Sequence, residues 1–132
     1  MTQANINLMD IVVDQLAEGK TISKALKKIY SKRKVVIPYN EDIFDVDVTK
    51  LKMSIRTKNV LLHFGIKTLK NAVDVCCGRG ETNIKNLGKS AGVELFETIL
   101  DYCWGHMSEK EKTEFLIDTI ERNVDNVKSE LL

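Results

Sequence analysis

The stretch LKMSIRTKNVLLHFGIKTLKNAV, residues 51–73, together with IKNLGKSAGVELFETILDY, residues 84–102, decides the fold. From Lys50 onward the apolar spacing is helical. Ser54 is placed to cap a helix reaching Phe64, and Gly65 stands where a left-handed residue ends such a helix. Thr68 caps a helix over Leu69 to Cys77. Gly78-Arg79-Gly80 reads as a turn, Glu81 to Lys85 as one short helical turn, and Asn86-Leu87-Gly88 as its end. Lys89 and Ser90 open a helix running to about Trp104. Ser108-Glu109-Lys110-Glu111 is a capping box that starts a last long helix. Along it Ile117, Ile120, Val124, Val127 and Leu131 step alternately by three and four. That ladder is a core-facing stripe or a seam through which two copies pair.

Upstream, Ile6 to Glu18 has apolar residues at helical spacing, and Gly19 is a natural stop. Thr21 or Ser23 caps a second helix with the stripe Ile22, Ala25, Leu26, Ile29 and Tyr30. Lys24, Lys27, Lys28 and Lys32 fall off the stripe, so the helix is amphipathic and basic. The pair is an αα-hairpin or a helix-turn-helix, of which the plain hairpin is the commoner form. Val35-Val36-Ile37 is β-prone and is stopped by Pro38. The acidic connector from Pro38 to Val48 carries two apolar anchors, Tyr39 and Phe44. These readings predict an all-α chain, a compact multi-helix domain with an N-terminal helical hairpin and a long C-terminal helix. By motif it divides into residues 1–49, 50–104 and 105–132. Hydrophobic residues make up 43% of the 132, enough for a core, while one proline and 6% aromatics argue against a β-sandwich.

Lysine plus arginine count 20 and aspartate plus glutamate 19. That balance hides a segregation. Residues 20–34 hold seven cations and no acid, whereas residues 41–47 hold four acids and no base. Residues 48–92 carry nine bases against Asp74 and Glu81, and residues 93–132 ten acids against four bases. Such asymmetry points to a polyanion on the basic part, or to two parts that neutralise each other within one fold. The three cysteines, Cys76, Cys77 and Cys103, are odd in number and make no disulfide framework. A zinc site needs Cys77, Cys103 and His106 to converge, and inert reduced thiols are the commoner state. Met1 to Asp14 lacks the basic start of a secretory leader and no apolar run reaches membrane-spanning length. A cytoplasmic protein with no membrane partner is expected.

Two patterns within the opening stretches carry a functional reading. The first is Leu51, Ser54, Arg56, Asn59 and Leu61, followed by Gly65, Ile66, Thr68 and Leu69. The second is Ile84, Asn86, Leu87, Gly88, Lys89 and Glu94. Together they resemble the C-terminal domain of the bacterial RNA polymerase α subunit over about residues 50–104. The resemblance implies a helix-hairpin-helix unit that binds double-stranded DNA, with Arg56 and Asn59 at the minor groove. It departs from the family where Ser90 takes the place of a second lysine and Ala91 that of a serine.

The chemistry is intelligible from the residues. Gly88 permits a close-approach turn just before a helix. The free amides from about Ser90 to Gly92, with the positive end of the helix dipole and the charge of Lys89, suit a phosphate. Alternatively Gly88 merely joins two packed helices and Ser90 is an ordinary cap. Arg56 sits one turn into its helix and shares a face with Asn59. An arginine in a narrow A·T-rich groove reads shape rather than base identity. The competing reading pairs Arg56 with a carboxylate such as Glu94. Lys52, Lys58 and Lys85 add surrounding charge, and Lys24 and Lys28 of the basic helix offer a second contact.

No phosphate-loop, nucleophile-elbow or zinc-protease motif is present. The sequence therefore points to a non-enzymatic DNA-binding protein of transcription regulation that needs no cofactor. The alternative is a module that binds RNA polymerase or another protein.

Overall fold

The computed structural model describes residues 2–30, 35, 41–76, 89–128 and 131. Among them it contains seven α-helices, two 3₁₀ turns and no strand. The helices are α1 (Gln3–Ala17), α2 (Ile22–Ile29), α3 (Glu41–Phe44), α4 (Ile55–His63), α5 (Leu69–Cys76), α6 (Lys89–Gly105) and α7 (Glu109–Arg122). The expected turn at 78–80, the short helix at 81–85, Gly88, Lys85, Cys77, Tyr39 and most of the β-prone run lie outside the described residues. The chain divides into two compact units, Met1–Ile37 with Trp104–Leu132, and Pro38–Cys103.

In the first unit α1 packs against α2 and α7. Thr2 caps α1 through the Asn5 amide, three residues earlier than the apolar pattern indicates, because the first turn is polar. Gly19, at φ +87°, ends it. The Gly19 amide donates to the Leu16 carbonyl and the Lys20 amide to that of Gln15, closing the six-residue turn that a left-handed glycine allows. Thr21 then caps α2, accepting from the Lys24 amide at 3.3 Å. All five residues of the α2 stripe are buried. Lys24 and Lys28 are exposed on the opposite face.

The capping box of α7 forms as expected. The Ser108 amide donates to Glu111 Oε1 at 3.0 Å, and the Glu111 amide to Ser108 Oγ at 3.2 Å. Phe115, Leu116, Thr119 and Ile120 form its buried face. The longer ladder expected from Ile117 to Leu131 does not run as one helix. Asn123, fully buried, turns its side-chain amide onto the Thr119 carbonyl at 2.6 Å and α7 stops at Arg122. Val124 begins a 3₁₀ turn and is 57% exposed. Val127 instead pairs with Tyr30, and the Lys128 amide donates to the Ile29 carbonyl at 2.9 Å. A local side-chain bond thus overrides an apolar periodicity that has no knowledge of the helix end.

In the second unit α3 packs on α5. Phe44 is one of its fully buried anchors. The segment after α3 is laced to the α4–α5 turn. The Leu69 amide donates to Val46 O and the Val48 amide to Lys67 O, both at 2.9 Å. Asp47 caps the following 3₁₀ turn, Val48–Lys50, by accepting from the Thr49 amide and hydroxyl. That backbone bond holds the Asp47 carboxyl below its ordinary value. Gly65, at φ +76°, ends α4, and the Ile66 amide closes onto Leu61 O at 2.9 Å, with both side chains buried. Leu61, Leu69, Leu95, Ile99 and Leu100 are fully buried.

Two buried hydroxyls in the first unit, those of Tyr30 and Thr119, have no hydrogen-bond partner among the described residues. The Tyr30 hydroxyl is enclosed without one, and burial pushes it up to about 12. Removing an unsatisfied buried hydroxyl relieves its desolvation penalty. Tyr30→Phe is expected to unfold at equal or higher urea concentration, with a gain of up to about 1 kcal/mol. A loss of that size would reveal a partner for the hydroxyl.

Candidate nucleic-acid interface

The interface begins with the start of α4. Ser54 is its N-cap, with Oγ accepting from the Thr57 amide at 3.2 Å. Thr57, three residues on, is buried and faces inward with Leu61. From α6 comes Glu94. Its Oε1 accepts the Ser54 backbone amide, and its Oε2 accepts the Thr57 hydroxyl at 3.0 Å and lies 3.1 Å from the Ser54 hydroxyl. One turn later the Thr98 hydroxyl reaches the Lys52 carbonyl at 3.2 Å. Glu94 and Thr98 share a face of α6. Two side chains of α6 therefore hold the segment from Lys52 to Thr57.

A carboxylate suits this place because the first amides of a helix are unsatisfied and carry positive partial charge. The backbone bond from Ser54 is the largest influence holding the Glu94 carboxyl below its ordinary value of 4.5, opposed by partial burial and assisted by the Thr57 and Ser54 hydroxyls. Glu94 thus occupies the Ser54 amide while the Ser54 hydroxyl takes that of Thr57, and the carboxylate sets a negative charge at the start of α4.

Arg56 is the second residue of α4 and is exposed. Among the described residues its guanidinium makes no ion pair or hydrogen bond. The competing reading, in which Arg56 pairs with Glu94, is corrected here: both Glu94 oxygens turn to Ser54 and Thr57. Asn59, one turn on, is exposed as well. Lys58 is half-buried and donates from Nζ to the Thr49 carbonyl at 2.9 Å, so it braces the 3₁₀ turn. Beyond Asn59, a surface depression of about 390 Å³ is lined by Asn59, Val60, His63 and Phe64. The His63 and Phe64 rings meet edge to face at 5.3 Å.

Lys89 and Ser90 open α6, as the sequence indicates. Glu94 lies in the second turn of that helix, so its bond to Ser54 ties that turn to the beginning of α4. Gly88 lies outside the described residues. Lys24 and Lys28 belong to the other unit. Among the described residues no cluster of three or more His, Cys, Asp or Glu side chains is placed to hold a metal ion. No helix among them is long and apolar enough to cross a membrane.

In the sequence Ser54 stands as a cap and Glu94 within a motif, and only Thr57, three residues after Ser54, hints at the inward hydroxyl that joins them. Comparison of the chain with models of known families, with characterised proteins and with solved structures finds no match.

The depressed Glu94 carboxyl sets a pH dependence. Its contribution to stability is complete above about 4.5 and is lost as pH falls through the lower folded value. Wild type is expected to exceed Glu94→Gln in unfolding free energy at about pH 7, and the gap should narrow progressively as pH falls below about 4.5 and the wild-type carboxyl protonates. A series of urea titrations across that range reads the difference, and a gap that does not shrink with falling pH contradicts the bond. Ser54→Ala is expected to cost about 1 kcal/mol in the same assay, as loss of an N-cap does.

Proposed function

We propose that this chain is a small, non-enzymatic DNA-binding protein acting in transcription regulation. It takes double-stranded DNA across the joined starts of α4 and α6. Arg56 and Asn59 face the minor groove, while the first amides of α6 with Lys89 and Ser90 hold a neighbouring phosphate. Gly88, outside the described residues, enters this reading through the sequence pattern alone, and Lys58 braces the turn before α4. Lys24 and Lys28 of the basic α2 offer a polyanion an electrostatic contact of their own. The helix-hairpin-helix arrangement and the likeness to the polymerase α-subunit domain belong to this reading.

One observation carries it. An exposed guanidinium with no partner among the described residues stands beside the Glu94 bond that joins the two helix starts. A carboxylate that could have neutralised it is engaged elsewhere. An arginine left in this way is available to a phosphate or a narrow, strongly negative groove. Contacts of this kind position the protein and sense shape more than they read base edges.

A second reading has its own observation. Leu62 of α4 and its C-cap residue Phe64 are exposed, and Phe64 lines the depression at His63. An apolar patch of that kind suits a protein partner such as RNA polymerase.

The two part company in salt. Under the DNA reading, affinity for a long A·T-rich duplex falls steeply as salt rises, because each neutralised phosphate releases counterions. Arg56→Ala is expected to weaken binding by about 1–3 kcal/mol and to flatten the salt slope. Fluorescence anisotropy over a salt series measures both. Binding that ignores salt, or an Arg56→Ala protein that binds as wild type does, overturns the DNA reading.

A further inference from the structure

We infer that the depression at the end of α4 is a nucleobase site, which takes one unpaired base of a DNA strand onto Phe64 while Arg56 holds a phosphate of the same strand. The inference rests on the DNA reading and extends it from the closed duplex to a strand opened within it.

Asn59, Val60, His63 and Phe64 line the depression, and its volume of about 390 Å³ falls within the range of small-ligand sites. All four belong to α4 and its C-cap residue, so one helix builds the site. Asn59 and His63 are exposed, and Phe64 is 41% exposed. The His63 and Phe64 rings stand at 83° to each other, so a flat ring stacked on Phe64 meets His63 edge-on. Asn59 brings a side-chain carbonyl and amide, the acceptor and donors that pair with the edge of a base. Arg56 shares the face, three, four and seven residues before Asn59, Val60 and His63. That spacing sets it about 5–10 Å before them along the helix axis.

Charge selects the occupant. Residues 48–73 hold six lysines and arginines and no acid. The carboxylate that does reach α4, Glu94, lies at the other end of the helix on Ser54 and Thr57. An occupant that joins a flat ring to an anion suits such a surface, and a nucleotide is one: its base stacks on an aromatic ring and its phosphate takes the guanidinium. Every base has a π-face, so the site senses whether a base is free more than which base it is. In a closed duplex the bases stack on one another and show the protein only their groove edges. Drawing one out costs unpairing energy, which an already unpaired base does not require.

One A·T-rich DNA, closed throughout or with a central unpaired stretch, distinguishes the outcomes when titrated into wild type, Phe64→Leu and Arg56→Ala. Circular dichroism confirms that each variant is folded. Wild type is expected to bind the opened duplex about tenfold more tightly than the closed one. Phe64→Leu, which keeps an apolar side chain and removes the ring, should bring that ratio close to one and leave affinity for the closed duplex as in wild type. Arg56→Ala should weaken both and keep the ratio. Equal binding of the two DNAs by wild type, or a ratio retained in Phe64→Leu, overturns the base site while the DNA reading stands. AMP that displaces the opened duplex at equal concentration assigns the site to a free nucleotide and overturns the strand as its ligand. A wild type that binds neither DNA overturns the DNA reading, and the base site with it.

Discussion

The carboxylate of Glu94 is the constraint on which the second unit depends. It satisfies the Ser54 amide and the Thr57 hydroxyl of α4 from a neighbouring helix. A hydrogen bond to an ionised group is roughly twice as strong as a neutral one, and this one also faces the positive end of a helix. Thr98, one turn on, adds the Lys52 carbonyl to the same seam. Helix packing through side chains such as Leu61 and Ile99 is non-directional and tolerates sliding. The polar seam fixes register, because it demands particular atoms at particular places.

That seam has a consequence for charge. Glu94 takes a place at the start of α4, and the group that orders that start is thereby not paired with Arg56.

Much of this was legible in the residues. Caps and stops are local, so Thr21, Ser54, Gly65 and Ser108 declare themselves through the hydrogen bonds their own neighbours need. The α2 stripe is equally plain because every member is buried. The α7 ladder misleads, since spacing alone does not register that Asn123 bonds back to Thr119 and ends the helix. The pairing of the chain's beginning with its end is also silent. It rests on backbone bonds at Ile29, Tyr30, Val127 and Lys128, which leave no side-chain signature. At the interface, Arg56 and Asn59 could be singled out from helical spacing. The partner of Glu94 could not, because Ser54 lies forty residues away and a carboxylate is equally suited to an arginine or a helix start.

The account stands on the claim that the starts of α4 and α6 act as one surface for the DNA duplex. Amide chemical shifts followed by NMR during titration with an A·T-rich duplex test it directly. The account predicts that amides of residues 54–59 and 89–94 move together, with one shared midpoint. Movement confined to one of the two segments, or absent from both while binding proceeds elsewhere on the chain, contradicts it.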